Sequence, residues 1–281
     1  MRIKKSILLA IMTIGPDLCL AQSGNIDTHV AVNDIEDPNT YVVIISNENY
    51  QFEEKVPYAI NDGQTFALYC EKTLGVCKKN IKFFPDATMG VMKRSLSLLE
   101  SFMKMKNGEG RAIIYYSGHG MPDEASKKAY LLPVDGFSTD PSTGMSTESL
   151  YAQLGSLPSK GTLVFLDACF SGAKRDGGMM KSSRGVAIKA KEEKPVGNNM
   201  VVFSAASGAE TAYPYHEKKH GMFTYYLLNM LYRSKGNCKI GELGNYVEKK
   251  VKAKSVAVNS KQQTPVLTSS IIGSWQNLTL K

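Results

Sequence analysis

Cysteine is scarce in this chain, five among 281 residues, and no two of them form a Cys-x-x-Cys pair. That excludes zinc ribbons, zinc fingers and disulfide scaffolds. Histidine occurs four times and tryptophan once. Gly and Pro are scattered, and nothing repeats with a period of about 20–50 residues, so solenoids and low-complexity tracts are excluded. Past the N-terminus, no apolar run approaches the ~20 residues of a membrane-spanning helix. The Lys-rich segments Lys189-Ala-Lys191 and Lys249-Lys250-Val-Lys252 lack interleaved aromatics, and no helix-turn-helix pattern appears. The formal charge of +8 therefore reads as a solvated basic face, and nucleic acid is not an expected partner.

What is present is 43% apolar residues, enough for the core of one α/β domain. The N-terminus stands apart. Arg2, Lys4 and Lys5 precede the short apolar run Ser6 to Gly15; Pro16 breaks it, and Cys19-Leu20-Ala21 supplies small residues for cleavage. This is the layout of a secretory signal peptide cut near Ala21, and it predicts export to the periplasm or beyond. The expected organisation is a signal peptide over 1–21, a loose polar leader over 22–38 and one domain over 39–281. Cleavage removes three bases and one acid (Asp17), leaving +6. Cys70 and Cys77 flank a helix end at Gly75, and in an exported protein they could pair.

Tyr41-Val-Val-Ile-Ile-Ser46 is a β-branched run typical of a buried strand, and Ala59 to Thr73 has helical spacing that stops at Gly75. Further strands are expected at 81–84, 111–116, 130–132, 162–166 and 200–204. Helices are expected at 89–106, 147–154, about 221–233 and 240–253, followed by an irregular tail containing Trp275. Near-continuous apolar strands alternating with helices predict a mostly parallel sheet covered on both faces. Ligands of such sheets bind outside the carboxyl ends of the strands.

Two segments fall at those ends: Ser117-Gly-His-Gly120 and Asp167-Ala-Cys-Phe-Ser-Gly172. Alone, either is weak, since a lone His in a turn or a lone buried Cys is usually structural. Together they place an imidazole and a thiol on glycine-containing turns directly after buried strands, 50 residues apart (119 to 169).

With Tyr116 added, these motifs resemble those of caspase-like peptidases, most closely metacaspases and their bacterial relatives, and the spacing is about that of caspases. Supporting segments are Asn61-Asp62, Leu132-Pro-Val-Asp135, Phe203-Ser-Ala-Ala-Ser207 and Gly221-Met-Phe-Thr224. The resemblance implies a three-layer α/β/α sandwich with a six-stranded, mostly parallel sheet. It implies an endopeptidase acting on proteins or peptides, with Cys169 as nucleophile and His119 as acid and base. The backbone N–H groups of Gly120 and Cys169 would form the oxyanion hole, and no third catalytic residue is assigned. Asp167 stands where caspases usually have Gln; by the metacaspase pattern, Asp62, Ser117 and Asp167 would line the S1 pocket. Two carboxylates there call for a basic P1 residue, Arg or Lys.

The basic segment 174–199 follows the nucleophile, and Lys174, Arg175, Lys181 and Arg184 are its candidate self-cleavage sites. No cofactor or metal is expected. Calcium has a candidate ligand in Asp176 by family analogy, but the Ser146-Thr-Glu148 region lacks the paired aspartates that would complete a site. Two alternatives stay open: a catalytically silent binding or regulatory module, and a peptide ligase using the same acyl-enzyme.

Overall fold

The computed structural model describes residues 25–123, 125–171, 193–197 and 199–281. The signal-peptide residues, Gly172, Asp176 and the four candidate cleavage positions lie outside them. In chain order the elements are β1 (Thr40–Ser46), α1 (Ala59–Lys72), β2 (Ile81–Pro85), α2 (Met89–Met105), β3 (Arg111–Ser117), β4 (Gly120–Pro122), β5 (Ala129–Leu131) and β6 (Met145–Ser146). They continue with α3 (Thr147–Gly155), β7 (Gly161–Asp167), β8 (Met200–Ser204), β9 (Pro214–Tyr215), β10 (His220–Gly221), α4 (Met222–Ser234), α5 (Ile240–Asn259) and β11 (Val266–Ser269). Among the described residues no helix is long and apolar enough to cross a membrane.

The main sheet has six strands in the order β11-β8-β7-β3-β1-β2. All its pairs are parallel except β11 against β8. Every residue of β1 is buried, as a central parallel strand covered on both faces requires. Its alternating side chains separate two cores. Val42 and Ile44 pack with Phe66, Phe203, Leu228 and Val247 on the side of α1, α4 and α5. Val43 and Ile45 pack with Leu99, Phe102, Leu150 and Leu154 on the side of α2 and α3. The result is the expected three-layer α/β/α sandwich. From β1 the chain first adds β2 on one side and then β3 on the other, so the strand order reverses at β1/β3. Loops leave the carboxyl ends there in opposite directions and open a crevice.

Most predicted elements appear within a residue or two of their expected limits, with three instructive differences. Residues 129–131 do form a strand, but it joins β4 and β6 in a small antiparallel sheet. The sixth strand of the main sheet is instead β11, drawn from the tail expected to be irregular. The last helix also runs on to Asn259, past the final buried apolar residue, Val251.

Residues 25–38 contain no regular element but run along α1 and are tied to it. Ile26 is buried in the core, and its carbonyl accepts from Tyr69 Oη at 3.0 Å. Thr73 Oγ1 donates to the Ala31 carbonyl at 2.7 Å, and Asp37 forms an ion pair with Arg111 of β3 at 2.7 Å. Gly75 ends α1 with φ +77°, and a Cβ there would meet the Ile35 carbonyl oxygen at 2.0 Å, so glycine is required on both counts. Cys70 and Cys77 on either side of it are reduced thiols. Cys70 is buried, which pushes its thiol well above the usual range, and Cys77 donates to Glu36 Oε1 at 3.1 Å.

A chain of aromatic contacts crosses the α1 side of the sheet: Tyr115 to Phe66 at 4.6 Å, Phe66 to Phe165 at 5.6 Å and Phe165 to Phe203 at 4.8 Å. Phe203 is fully buried. Phe203→Ala is therefore expected to destabilise the domain by about 3–5 kcal/mol, read as a lower urea midpoint at unchanged slope.

Candidate active site

Strand register decides which loops meet. Ser117 pairs with Asp167 across β3 and β7, and Gly118 N–H donates to the Asp167 carbonyl at 3.2 Å. His119 and Cys169 each lie two residues beyond that pair, so the two loops leave the sheet side by side. Gly120 passes so close to the second loop that a Cβ would stand 2.6 Å from the Cys169 carbonyl oxygen. The glycine is thus a requirement of close approach.

The His119 loop is held from several directions. Its backbone N–H donates to Tyr50 Oη at 2.8 Å, and its carbonyl accepts from Tyr116 Oη at 2.7 Å and from Leu132 N–H at 3.0 Å. Burial pushes both tyrosine hydroxyls well above their usual titration range, so they remain protonated donors. The imidazole lies 4.7 Å from the Tyr50 ring. Its Nε2 is 2.8 Å from the Glu54 carbonyl oxygen. A carbonyl can only accept, so Nε2 carries the hydrogen, and in the neutral ring Nδ1 is left as the basic nitrogen. The backbone of Glu54 thus orients the ring, a function no residue type could signal in the sequence.

Cys169 is 4% exposed and borders the α1-side core. Its sulfur receives the Ala212 backbone N–H at 2.9 Å and lies 3.4 Å from the Ala212 carbonyl, to which the thiol donates. The N–H contact is one the thiolate would keep, whereas donation to the carbonyl requires the thiol proton. Ala212, on the chain between β8 and β9, was not identifiable from sequence.

The three expected S1 residues are all buried at the carboxyl edge of the sheet. Ser117 is flanked in register by Ser46 of β1 and Asp167 of β7. Asp62, in the first turn of α1, is fully enclosed, where an amphipathic helix alone would have left it on the surface. Gly63 beside it packs against Ser46, bringing this turn over the same edge. The start of α4 contacts both acids. Gly221 N–H bridges the two Asp62 oxygens at 3.1 and 3.0 Å, while Thr224 Oγ1 donates to Asp167 Oδ2 at 2.7 Å and meets Tyr115 Oη at 2.7 Å. The positive end of the helix dipole adds to this stabilisation of buried anions.

Asp62 has a further partner. His220 Nδ1 lies 2.7 Å from Asp62 Oδ1, and His220 Nε2 lies 2.9 Å from Asp27 Oδ1. Neither His220 nor Asp27 was identified from sequence. The only available hint was that His220 immediately precedes Gly221-Met-Phe-Thr224. Among the described residues no three His, Cys, Asp or Glu side chains are grouped to hold a metal ion.

The architecture is that of a caspase-type α/β sandwich. The chain belongs to the caspase-domain family of cysteine peptidases, whose family model matches residues 39–274. Two solved structures share the fold. Caspase-1 from Spodoptera frugiperda aligns with a TM-score of 0.61 at 16% identity, covering 84% of this chain and 90% of that one. A protein from Geobacter sulfurreducens aligns with a TM-score of 0.63 at 16% identity, covering 86% of this chain and 98% of that one. No curated protein matches the sequence.

Tyr50 supplies the acceptor for the His119 backbone N–H. Tyr50→Phe deprives a buried N–H of its acceptor and is expected to cost about 1–2 kcal/mol of stability. Equilibrium unfolding of the purified variant measures this.

Proposed function

We propose that the protein is an exported cysteine endopeptidase that hydrolyses peptide bonds after Arg or Lys, using Cys169 and His119. The observation that supports this reading is the Ser117–Asp167 pairing: from it start, side by side, the loop that carries an oriented imidazole and the loop that carries a sulfur receiving a backbone N–H.

In the proposed reaction His119 Nδ1 takes the Cys169 proton and Sγ attacks the scissile carbonyl. The Glu54 carbonyl keeps its bond to Nε2–H throughout, so a single nitrogen handles the proton. The oxyanion is received by the N–H groups of Gly120 and Cys169, donors of a kind worth about 2.7–4 kcal/mol each. Nδ1–H then protonates the departing amine. Water, activated by the neutral ring, cleaves the thioester, and the thiol is restored. No cofactor enters these steps.

The case for a basic P1 residue rests on Asp62 and Asp167 lying enclosed at the edge from which Cys169 emerges, with Ser117 between the strands that carry them. A guanidinium or ammonium offsets buried carboxylate charge, whereas an Asp side chain would meet like charge at a cost of several kcal/mol. Substrates are accordingly proteins or peptides with exposed Arg or Lys. The segment carrying Lys174, Arg175, Lys181 and Arg184 would be among the first encountered, giving self-processing. The N-terminal sequence supports delivery outside the cytoplasm after cleavage near Ala21.

Matched fluorogenic peptides ending in Arg, Lys, Asp or Ala, with and without calcium, test the reading. Arg and Lys peptides should be hydrolysed without added calcium, and Cys169→Ala should abolish hydrolysis. Asp167→Asn should lower kcat/KM for Arg peptides by about tenfold or more through loss of a charge-assisted contact. Turnover of the Asp peptide alone, or turnover that survives Cys169→Ala, would refute it. N-terminal sequencing of fragments should locate self-cleavage after basic residues of 174–184 in wild type and none in Cys169→Ala.

A further inference from the structure

Asp27, His220 and Asp62 form a continuous line from the surface to the floor of the proposed S1 site. Asp27 belongs to the irregular segment along α1, His220 to β10 and Asp62 to α1. The outer carboxylate is 40% exposed, while His220 and Asp62 are fully buried. A crevice lined by Asn25, Asp27, Lys218 and Tyr225 reaches the outer end of this line.

A neutral imidazole has one N–H and would turn the lone pair of its other nitrogen toward a carboxylate. With oxygens at 2.7 and 2.9 Å from the two nitrogens, the cationic ring is the form that satisfies both contacts. Burial works against a charged ring, but the bonds to Asp62 and Asp27 outweigh it, and His220 titrates above its usual value. The other groups around the ring are Tyr225 of α4 at 6.3 Å between centroids and Tyr215, its cross-strand neighbour. Glu217, Lys218 and Lys219 occupy the turn before it, and the Asn61 amide nitrogen is 3.4 Å from both ring nitrogens.

We infer that His220 is a positioning residue of the specificity pocket: clamped by Asp27, it holds the Asp62 carboxylate and offsets part of its charge, so its protonation sets how strongly the pocket prefers a cationic P1 side chain over a neutral one. This rests on the reading of Asp62 as an S1 acid. A P1 cation bound at Asp62 and a proton on His220 repel one another, and by linkage each weakens the other. Below the His220 midpoint the ring cation competes with the substrate for Asp62. As pH rises through that midpoint the competing charge is lost, and preference for Arg grows. Asp27 tunes the midpoint from outside the pocket, since its carboxylate stabilises the ring cation without facing substrate.

The test uses the full mature chain and paired peptides ending in Arg or citrulline, its neutral isostere, from pH 6 to 10. Titration of the catalytic pair affects both peptides alike and cancels in the ratio of their KM values. That ratio should shift toward Arg by about tenfold as His220 loses its proton, the scale expected of two like charges within ~6 Å. In Asp27→Asn, whose amide oxygen still accepts from Nε2–H, the transition should move down by about one pH unit. NMR titration of ring-labelled histidines, with His220 assigned through His220→Gln, should show the same displacement in Asp27→Asn. A midpoint that moves while the Arg/citrulline ratio stays flat, in protein that cleaves after Arg, overturns the inference and leaves the basic-P1 reading intact. A His220 midpoint unchanged by Asp27→Asn also overturns it. Absence of cleavage after Arg or Lys at every pH overturns the basic-P1 reading and the inference with it.

Discussion

The parallel pairing of β3 with β7 is the constraint on which the site depends. Hydrogen bonds between these strands fix Ser117 opposite Asp167, and the two following loops inherit that alignment. A shift of one residue would turn the side chains of either strand to the opposite face, exchanging the two cores as well as separating the loops. The same apolar burial that locks the sheet therefore locks the site. The aromatic contacts along Tyr115, Phe66, Phe165 and Phe203 are part of that lock, since Phe165 lies on the strand that delivers Cys169.

A second consequence of this geometry is electrostatic. Two carboxylates, Asp62 and Asp167, are enclosed at the carboxyl edge of the sheet, which is costly without donors or a counter-charge. The beginning of α4 supplies a backbone N–H for Asp62 and a hydroxyl for Asp167, and His220 just before it supplies a ring nitrogen 2.7 Å from Asp62. One short stretch, 220–224, thus holds both acids from the side opposite the strands. The irregular segment 25–38 becomes part of this arrangement through Asp27, so a stretch without regular structure touches a fully buried charge cluster.

Much of this was legible in the sequence. Strands such as Tyr41–Ser46 announce themselves because burial on both faces demands an unbroken β-branched run. Helices α1 and α2 show their spacing, and the two glycine-flanked motifs stand at strand ends where ligands bind. Partner choice was less legible. Residues 129–131 read as a strand, but three residues cannot specify which sheet they join. β11 is half-buried on an edge and leaves a faint pattern. The groups that orient His119 and meet Cys169 are backbone atoms of Glu54 and Ala212, and backbone atoms leave no trace in residue identity. Asp27 is one acid in a polar stretch, and only folding brings it to His220, 193 positions away.

The small sheet β4–β5–β6, its connections and helix α3 fill the interval between β3 and β7. They form an excursion that departs from the end of β3 and returns at the start of β7. Hydrogen bonding between those strands sets the register of the two loops, and within the excursion Leu132 returns to hold the His119 backbone, so its outer part is not what aligns them. A change of length in that outer part, such as the connection between β5 and β6, would leave the strand register and the Leu132 contact in place. The interval of 50 residues thus contains a fixed portion beside His119 and an outer portion, and the outer portion is where new specificity has room to be grafted onto an unchanged centre.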